Sequence, residues 1–290
     1  MVVLIAGITG SLGQRLARTA LDRGLAVRGL GRSPDKLDPT IAASLESFVQ
    51  SASHEDIPAL DKAVAGPRRL PLLLRAAERA GIKVFIASSW NYDWTRMKYG
   101  TFEHYDTCIA FEHHAALTST IRPVYLFTGI FSSYMLAPFG PGAPVVGPEK
   151  IVFRYWGDDG LKKKHPWVTQ DDAAAYTIDV LLHGQGVQDG QGGFFYIPSG
   201  RSTLVEIAEA YGRVSGKPYG IEKAGSLDEL RQQIDESRKR FGRGRSWDYA
   251  SLAAELLTNS GIFEMADEQL YDVNKVKTAT TLDDALREVV

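Results

Sequence analysis

The stretch Val2-Val3-Leu4-Ile5-Ala6-Gly7-Ile8-Thr9-Gly10-Ser11-Leu12-Gly13 decides the fold of this chain. Its first five residues form an uninterrupted apolar run of the length of a buried strand. The glycines that follow have the spacing G-x-x-G-x-x-G, and a predicted amphipathic helix over 12–23 comes directly after them. A strand, a glycine turn and a helix in this order are typical of a dinucleotide-binding unit.

The glycine turn also predicts where the phosphates of a cofactor bind. Glycine permits a tight turn and a close approach of the backbone to a pyrophosphate. The free amides at the start of the following helix then face the negative charge. We therefore expect a pyrophosphate to contact Gly7, Thr9, Gly10, Ser11, Leu12 and Gly13. The alternative is a plain strand–helix turn with spare glycines.

The end of the second predicted strand, 26–30, indicates which cofactor is bound. It runs into Gly31-Arg32-Ser33-Pro34 and offers no acidic residue for a free ribose 2′-hydroxyl. The planar guanidinium of Arg32 instead suits a 2′-phosphate, and Lys36 is close enough in sequence to assist. These residues favour NADP(H) over NAD(H). The alternative is that Arg32 is a solvated turn residue.

Strands and helices alternate through the first half of the chain. Further strands are predicted at 47–50, 83–87 and 120–126, and helices at 54–65, 70–80 and 104–117. This alternation predicts an α/β fold with a Rossmann-type, doubly wound parallel sheet. A loop rich in proline and glycine at 138–148 then marks a change of character. We predict an NADP-binding domain over 1–137 and a smaller α+β substrate lobe over 138–290, some of whose segments return to the sheet.

One strand is missing from this alternation. The predicted helix 70–80 is preceded only by the segment Val64 to Arg69, whose first two residues still belong to the predicted helix 54–65. A strand of about five residues with its two connections needs roughly twice that length. We therefore predict that one strand and its loop are absent near 64–70, either through a deletion in the chain or because residues are missing from the printed sequence.

Composition narrows the possible environments and partners. The net charge of −2 gives no global electrostatic case for nucleic acid or an anionic membrane. The single cysteine, Cys108, excludes an internal disulfide and a multi-cysteine metal site. No apolar run reaches the roughly 20 residues of a membrane helix, and no histidine–carboxylate spacing indicates a metal. We expect a cytoplasmic monomer or homodimer that binds no metal, nucleic acid or membrane. The basic segment 238–245 is interpreted as a helix end rather than a nucleic-acid arm.

Several segments together resemble one family of atypical short-chain dehydrogenases. They are the glycine turn, the turn 31–34, the segment 72–90, and the later segments 129–134, 167–174 and 211–217. In order and spacing these are similar to the NmrA-like and isoflavone-reductase-like branch. The resemblance implies a Rossmann fold, NADPH and reduction of a small aromatic or polyketide-like metabolite. It also implies a strand and a cofactor-contacting loop in the segment found short here.

The resemblance further implies a lysine as general acid–base on the helix after the fifth strand. This chain has no lysine between 99 and 149. We consider His113, Tyr92 and Ser88 as alternative proton donors, because histidine is readily poised near neutral pH and Ser88 follows a parallel strand. Ser88 is also expected to contact the cofactor. The alternative for His113 and its neighbour His114 is one core and one surface histidine.

Aromatic residues cluster after the predicted strands and indicate a flat, apolar ligand. The predicted substrate-binding residues are Trp90, Tyr92, Trp94, Phe131, Tyr134 and Trp167. The alternative is that they pack the two lobes together. Three functions stay open at this point. The chain is a reductase, an NADP(H)-binding regulator without catalysis, or a redox-neutral isomerase or cyclase on the same scaffold.

Overall fold

A computed structural model of the chain describes residues 1–51, 70–147 and 149–290. The first three strands form a parallel sheet in the order β1 (Val2–Ala6), β2 (Ala26–Gly31) and β3 (Ser47–Gln50). They are connected by α1 (Ser11–Asp22) and by α2 (Pro39–Ser44), whose N-cap Asp38 accepts hydrogen bonds from the next amides. The predicted strand–turn–helix unit at the start of the chain is present.

The parallel arrangement continues in the middle of the chain. α3 (Leu70–Arg79) leads to an extended segment over 83–87, and α4 (Asp106–Thr118) leads to β4 (Val124–Phe127). The amide of Ala87 donates to the carbonyl of Val124 at 2.9 Å, and the amide of Val124 donates to the carbonyl of Phe85 at 2.8 Å. The predicted strand 83–87 therefore lies beside β4, although its pairing is too short to form a continuous ladder.

The second half supplies short strands and most of the remaining helices. The strands are β5 (Ile130–Phe131), β6 (Val145–Val146), β7 (Ile151–Trp156), β8 (Lys164–Val168), β9 (Gly193–Tyr196), β10 (Gly200–Thr203) and β11 (Tyr219–Gly225). The helices are α5 (Gln170–His183), α6 (Leu204–Ser215), α7 (Leu227–Phe241), α8 (Ala250–Asn259) and α9 (Leu282–Arg287).

Pairing between the two halves agrees with a doubly wound sheet. β9 pairs in parallel with β4, so a strand from beyond residue 137 lies beside a strand of the first half. β5, β8 and β10 form a second small sheet, and β6, β7 and β11 form a third. The α/β fold with parallel strands is confirmed. The domain boundary at 137 stays a prediction.

Local capping explains why two of the later helices begin where they do. The hydroxyls of Thr203 and Ser226 each accept a hydrogen bond from the amide three residues later, and the carboxylates of Glu206 and Glu229 accept one from the backbone amide of the cap residue. Both capping boxes follow from the sequence pattern. The predicted helix at 54–65 and the predicted gap near 64–70 lie outside the described residues.

The packing of α1 against α5 fixes the geometry beside the glycine turn. Leu16, Ala17 and Ala20 of α1 share one buried cluster with Ala174 and Ile178 of α5. Small side chains at this contact let the two helices approach closely. As a result, the first turn of α5 lies beside the first turn of α1. In the described ranges, no helix is long and apolar enough to cross a bilayer.

Candidate functional site

The glycine turn after β1 has a backbone that only glycine accommodates. Gly7 adopts a φ of +77°, and its amide donates to the carbonyl of Leu30 at 2.8 Å, which ties the turn to the end of β2. A Cβ at Gly13 would lie 2.3 Å from the carbonyl oxygen of Gly7. The turn and the first turn of α1 are therefore in direct backbone contact, as close helix–strand packing requires.

The first turn of α1 presents unused hydrogen-bond donors. Gly10 caps the helix without a side-chain bond, and the first turn contains no acidic residue. The amides of Ser11, Leu12 and Gly13 have no acceptor within the described residues. Three free donors at the positive end of a helix, with no competing carboxylate in that turn, fit a pyrophosphate.

A polar network joins this helix start to the start of α5. The Ser11 hydroxyl donates to Oε1 of Gln170 at 2.5 Å, and Nη1 of Arg15 donates to the Ser11 hydroxyl at 2.9 Å. Nε of Arg15 lies 2.7 Å from a carboxylate oxygen of Asp171. Ser11 was predicted from the sequence, but Arg15, Gln170 and Asp171 were not. Gln170 lies 159 residues from Ser11, so no local pattern indicates their contact.

The end of β2 leaves a basic side chain free. Arg32 is exposed, and its side chain makes no hydrogen bond or ion pair with the part of the chain that is described. Its backbone carbonyl accepts a hydrogen bond of 3.1 Å from Gln50. Lys36 is also exposed. The methyl group of Thr9 packs against Gly31, where a Cβ added to the glycine would lie 3.0 Å from it. Thr9 therefore brings the glycine turn into contact with the end of β2.

A cleft of about 430 Å³ opens beside the glycine turn, within the size range of small-molecule sites. One wall is the turn and the first turn of α1. The other wall comes from the segment after residue 87, from α4 and from β5. The lining residues are Ala6, Gly7, Gly10, Ser11, Leu12, Gly13, Leu16, Ser88, Ser89, Trp90, Asn91, Trp94, Cys108 and Phe131.

Nine of the predicted site residues meet in this cleft. They are Gly7, Gly10, Ser11, Leu12, Gly13, Ser88, Trp90, Trp94 and Phe131. The indole N–H of Trp90 donates to the Thr177 hydroxyl at 2.9 Å, which fixes that ring against α5. Trp94 is buried and packs edge-on against Tyr125 and Phe127, with ring centroids 5.5 Å apart in both pairs. Contacts with the interior therefore hold two of the aromatic rings that line the cleft.

The structure places the other predicted substrate and proton-donor residues away from this lining. Tyr92 is buried and stacks on Phe263 with ring centroids 4.0 Å apart. Burial, together with the nearby Glu255 carboxyl, raises the pKa of Tyr92 well above its ordinary value. The indole N–H of Trp167 donates to Ser202 at 3.1 Å within the interior. Tyr92 and Trp167 therefore serve as core packing in this structure.

Two further candidates are at the surface. The ring of His113 is 59% exposed and lies 3.6 Å from the carboxylate of its neighbour Glu112. Tyr134 is exposed and contacts the ring of Phe139. Neither lines the cleft. Their sequence patterns, a histidine pair on a helix and an aromatic residue after a strand, are equally typical of solvated surface positions.

Three polar residues that line the cleft, Ser89, Asn91 and Cys108, were not predicted from the sequence. Cys108 is on α4, the helix on which the resemblance implies a lysine, and burial raises the pKa of its thiol. Among the described lining residues, Cys108 is the side chain from α4. Helical periodicity places Cys108 on the same face as Phe111 and Ala115 and could have drawn attention to it. No sequence signal distinguished Asn91.

This chain is similar to a known protein family and to several solved structures. A model described as the NmrA-like family matches residues 71–241, which is more than half of the chain. The chain belongs to the NmrA-like family. The predicted resemblance is thereby confirmed. Among the curated proteins searched, none matches this NmrA-like chain.

Solved structures share the fold of this NmrA-like chain at low sequence identity. An isoflavone reductase is 18% identical, with 100% of this chain and 99% of that chain covered and a TM-score of 0.73. A binary complex of leucoanthocyanidin reductase with NADPH from Vitis vinifera is 17% identical, with 99% of each chain covered and a TM-score of 0.70. An NADPH-dependent quinone oxidoreductase from Escherichia coli is 19% identical, with 100% and 99% covered and a TM-score of 0.65.

Proposed function

We propose that this NmrA-like chain is an NADPH-dependent reductase of a small, flat aromatic or polyketide-like metabolite. The observation that carries the proposal is one cleft with two chemically different walls. Free amides of the first turn of α1 form one wall, and Trp90, Trp94 and Phe131 form the other. A dinucleotide and a flat ligand are the pair of molecules that such walls suit.

The residues present fit the cofactor. The amides of Ser11, Leu12 and Gly13 would hold the pyrophosphate, and the absence of a Cβ at Gly13 keeps the first turn of α1 against the glycine turn. Arg32 would hold the 2′-phosphate with help from Lys36, because both are exposed and the end of β2 offers no acid. Thr9 and Gly7 would maintain the conformation of the glycine turn.

When bound, NADPH supplies the hydride. The chain positions the two reactants, and the aromatic wall excludes water from the reacting carbon. Ser88 is exposed at the end of the extended segment 83–87 and lines the cleft, so its hydroxyl can hold a proton relayed from water. Of the three proton donors predicted from the sequence, Ser88 is the one that lies in the cleft. His113 and Tyr92 remain predictions, and unchanged turnover in His113→Ala and Tyr92→Phe would remove both as proton donors.

The similar structures support the same chemistry. They are an isoflavone reductase, a leucoanthocyanidin reductase in complex with NADPH, and an NADPH-dependent quinone oxidoreductase. We extend these activities to this chain as part of the proposal. We also propose a cytoplasmic protein, as monomer or homodimer, with an NADP-binding domain over 1–137 and a smaller substrate lobe over 138–290. The substrate contacts named above all come from the first of these ranges, and the lobe would add to them.

The test combines binding and turnover. Titration calorimetry with NADPH and with NADH measures cofactor preference. Loss of the absorbance of the reduced nicotinamide is then followed with aromatic ketones, enones, quinones and benzylic ethers. We expect tighter binding of NADPH and oxidation with at least one compound class. Preference for NADH would overturn the cofactor assignment.

A regulator without catalysis is the second candidate. The observation in its favour is that the described lining of the cleft contains neither a lysine nor a histidine. Tight NADPH binding without turnover of any compound would favour this candidate. An isomerase or cyclase would instead convert its substrate without consuming NADPH.

A further inference from the structure

Asn91 is held by its backbone at the carboxyl end of the sheet. Its carbonyl accepts hydrogen bonds from the amides of Thr128 at 2.9 Å and Gly129 at 3.2 Å, directly after β4. Asn91 also forms an isolated parallel bridge with Phe127. Ligands of parallel α/β sheets bind at this edge. The position of Asn91 is thus fixed by the scaffold rather than by a free loop.

The side chain of Asn91 is oriented by two donors. Its Oδ1 accepts a hydrogen bond of 2.9 Å from the amide of Tyr92 and one of 2.5 Å from the hydroxyl of Tyr105. A backbone N–H can only donate, so the atom that faces it must be the oxygen. Tyr105 is buried and its pKa is raised well above the ordinary value, so its hydroxyl keeps the proton that it donates.

This orientation leaves the Nδ2 group of Asn91 free. Among the described residues it has no acceptor, and it is absent from the fully enclosed polar atoms without partners. Asn91 lines the cleft together with Ser88, Cys108 and Phe131. Because Tyr92 and Tyr105 hold the side-chain oxygen of Asn91, the amide group presents its two N–H donors to the cleft.

We propose that Nδ2 of Asn91 binds the carbonyl oxygen of the substrate, and that Tyr105 is the positioning residue that aims it. The inference rests on the proposed function and names the substrate class as aryl ketones, conjugated enones or quinones. Hydride adds to the carbonyl carbon, and the π electrons of the C=O bond move to oxygen. In an enone or quinone it adds instead to the conjugated carbon, the C=C π electrons form the new double bond of the enolate, and the C=O π electrons again move to oxygen. The N–H donors stabilise that negative charge, and the oxygen takes its proton from water.

The chemistry of the lining also argues against the benzylic ethers. Cleavage of an ether needs a proton on the departing oxygen, whereas an amide N–H donates a hydrogen bond without giving up its proton. Burial raises the pKa of the Cys108 thiol, and a serine hydroxyl is a weak acid. The carbonyl oxygen, which needs only stabilisation before water protonates it, is the better match.

The experiment measures binding to the NADP⁺ complex, in which no hydride is available. The probes are a matched pair, 2-acetylnaphthalene and 2-ethylnaphthalene, which differ by the carbonyl oxygen. For the wild type we expect the ketone to bind about tenfold more tightly, the value of one good hydrogen bond. In Asn91→Leu this preference disappears, while affinity for 2-ethylnaphthalene and for NADP⁺ is unchanged.

Two further variants sharpen the result. Asn274→Leu makes the same change at an exposed position and should keep the preference. Tyr105→Phe should lower the preference without changing NADP⁺ affinity, since it releases the Asn91 side chain from one of two restraints. A preference that persists in Asn91→Leu, or a wild type that binds both probes equally or neither, would overturn the inference. Absence of NADPH turnover with a retained ketone preference would overturn the proposed function alone.

Discussion

The hydroxyl of Ser11, at the start of α1, donates a hydrogen bond of 2.5 Å to the side-chain oxygen of Gln170, at the start of α5. The two helices come from opposite halves of the chain and share one buried cluster. The helix start that we assign to the cofactor pyrophosphate is thereby restrained by a residue from the second half. Arg15 joins the same network through the Ser11 hydroxyl.

We predict that Ser11 and Gln170 are energetically coupled. In a double-mutant cycle of Ser11→Ala and Gln170→Ala, the free energy of unfolding should show a coupling of about 0.5–1 kcal/mol, as expected for a hydrogen bond near the surface. Urea denaturation of the four proteins measures it. Strictly additive losses would show that the bond contributes nothing to stability.

We predict that Gly13→Ala damages both the fold and the cofactor site. Its Cβ would lie 2.3 Å from the carbonyl oxygen of Gly7, so the backbone must shift. Overpacking of this kind costs about 1–3 kcal/mol, and NADPH affinity should fall with it. Gly244→Ala is the control, because a Cβ there meets nothing within 4 Å. Equal stability and equal NADPH affinity of the two variants would contradict the assignment.

We predict that Arg32→Ser selectively weakens NADPH. Removal of a charge-assisted contact to the 2′-phosphate should raise the Kd for NADPH by about 10- to 100-fold, on the scale of roughly 1.5–3 kcal/mol for a charged hydrogen bond. The Kd for NADH should stay the same, because NADH lacks that phosphate. Calorimetric titration of both cofactors into both proteins tests this. Equal weakening of both cofactors would place Arg32 elsewhere in the site.

The fold could be predicted from local signals because they are strong in this chain. The apolar run 2–6, the glycine spacing of 7–13 and the two capping boxes are each encoded within a few neighbouring residues. The pairing of β9 with β4 and the contact of Gln170 with Ser11 join distant parts of the chain. The sequence predicts that some segments of 138–290 return to the sheet, but no periodicity identifies which strand or which residues make such contacts.

The site was predicted on its cofactor side better than on its substrate side. Glycine positions follow from backbone geometry, whereas an aromatic residue after a strand is equally suited to a cleft or to a core. Trp94 lines the cleft, whereas Tyr92, two residues earlier in the same loop, stacks on Phe263. Asn91 has no special neighbour in sequence. Its significance comes from Tyr105, 14 residues away.

A buried carboxyl gives the protein an unusual titration. Glu255 on α8 is buried, and burial raises its pKa to about 8 despite hydrogen bonds from Asn259 and from the amide of Gly142. The charge of Arg154 lowers the pKa only in part. Glu255 therefore stays protonated in the folded chain at neutral pH, whereas it is ionised in the unfolded chain.

We predict that stability falls as pH rises from 6.5 to 8. In that window the folded chain holds a proton on Glu255 that the unfolded chain has lost, so the slope is at most about 1.4 kcal/mol per pH unit. Above about 8 this contribution is lost and the slope ends. His165 opposes this slope near pH 6.5, because burial lowers its pKa to about 4 in the folded chain whereas the unfolded histidine, with a pKa of 6.5, still binds protons there. This opposing contribution fades about one pH unit higher, and it is the same in the wild type and in Glu255→Gln.

Urea denaturation across this pH range measures the slope. Glu255→Gln keeps an acceptor for the Gly142 amide but cannot titrate, so its stability should change less with pH than that of the wild type. The comparison is made between slopes, so a general loss of stability in the variant does not affect it. Identical slopes would show that Glu255 is already ionised in the folded protein.

The reaction that we propose for this cleft is hydride transfer from NADPH to a carbonyl-conjugated aromatic compound. It is tested most directly with an aryl ketone or conjugated enone and NADPH carrying deuterium at the transferring position of its nicotinamide, in a single turnover followed by mass spectrometry of the product. We predict that each product molecule gains one deuterium on carbon and that an equal amount of NADP⁺ forms. A product without deuterium, or a product formed while NADPH remains unchanged, would contradict the claim.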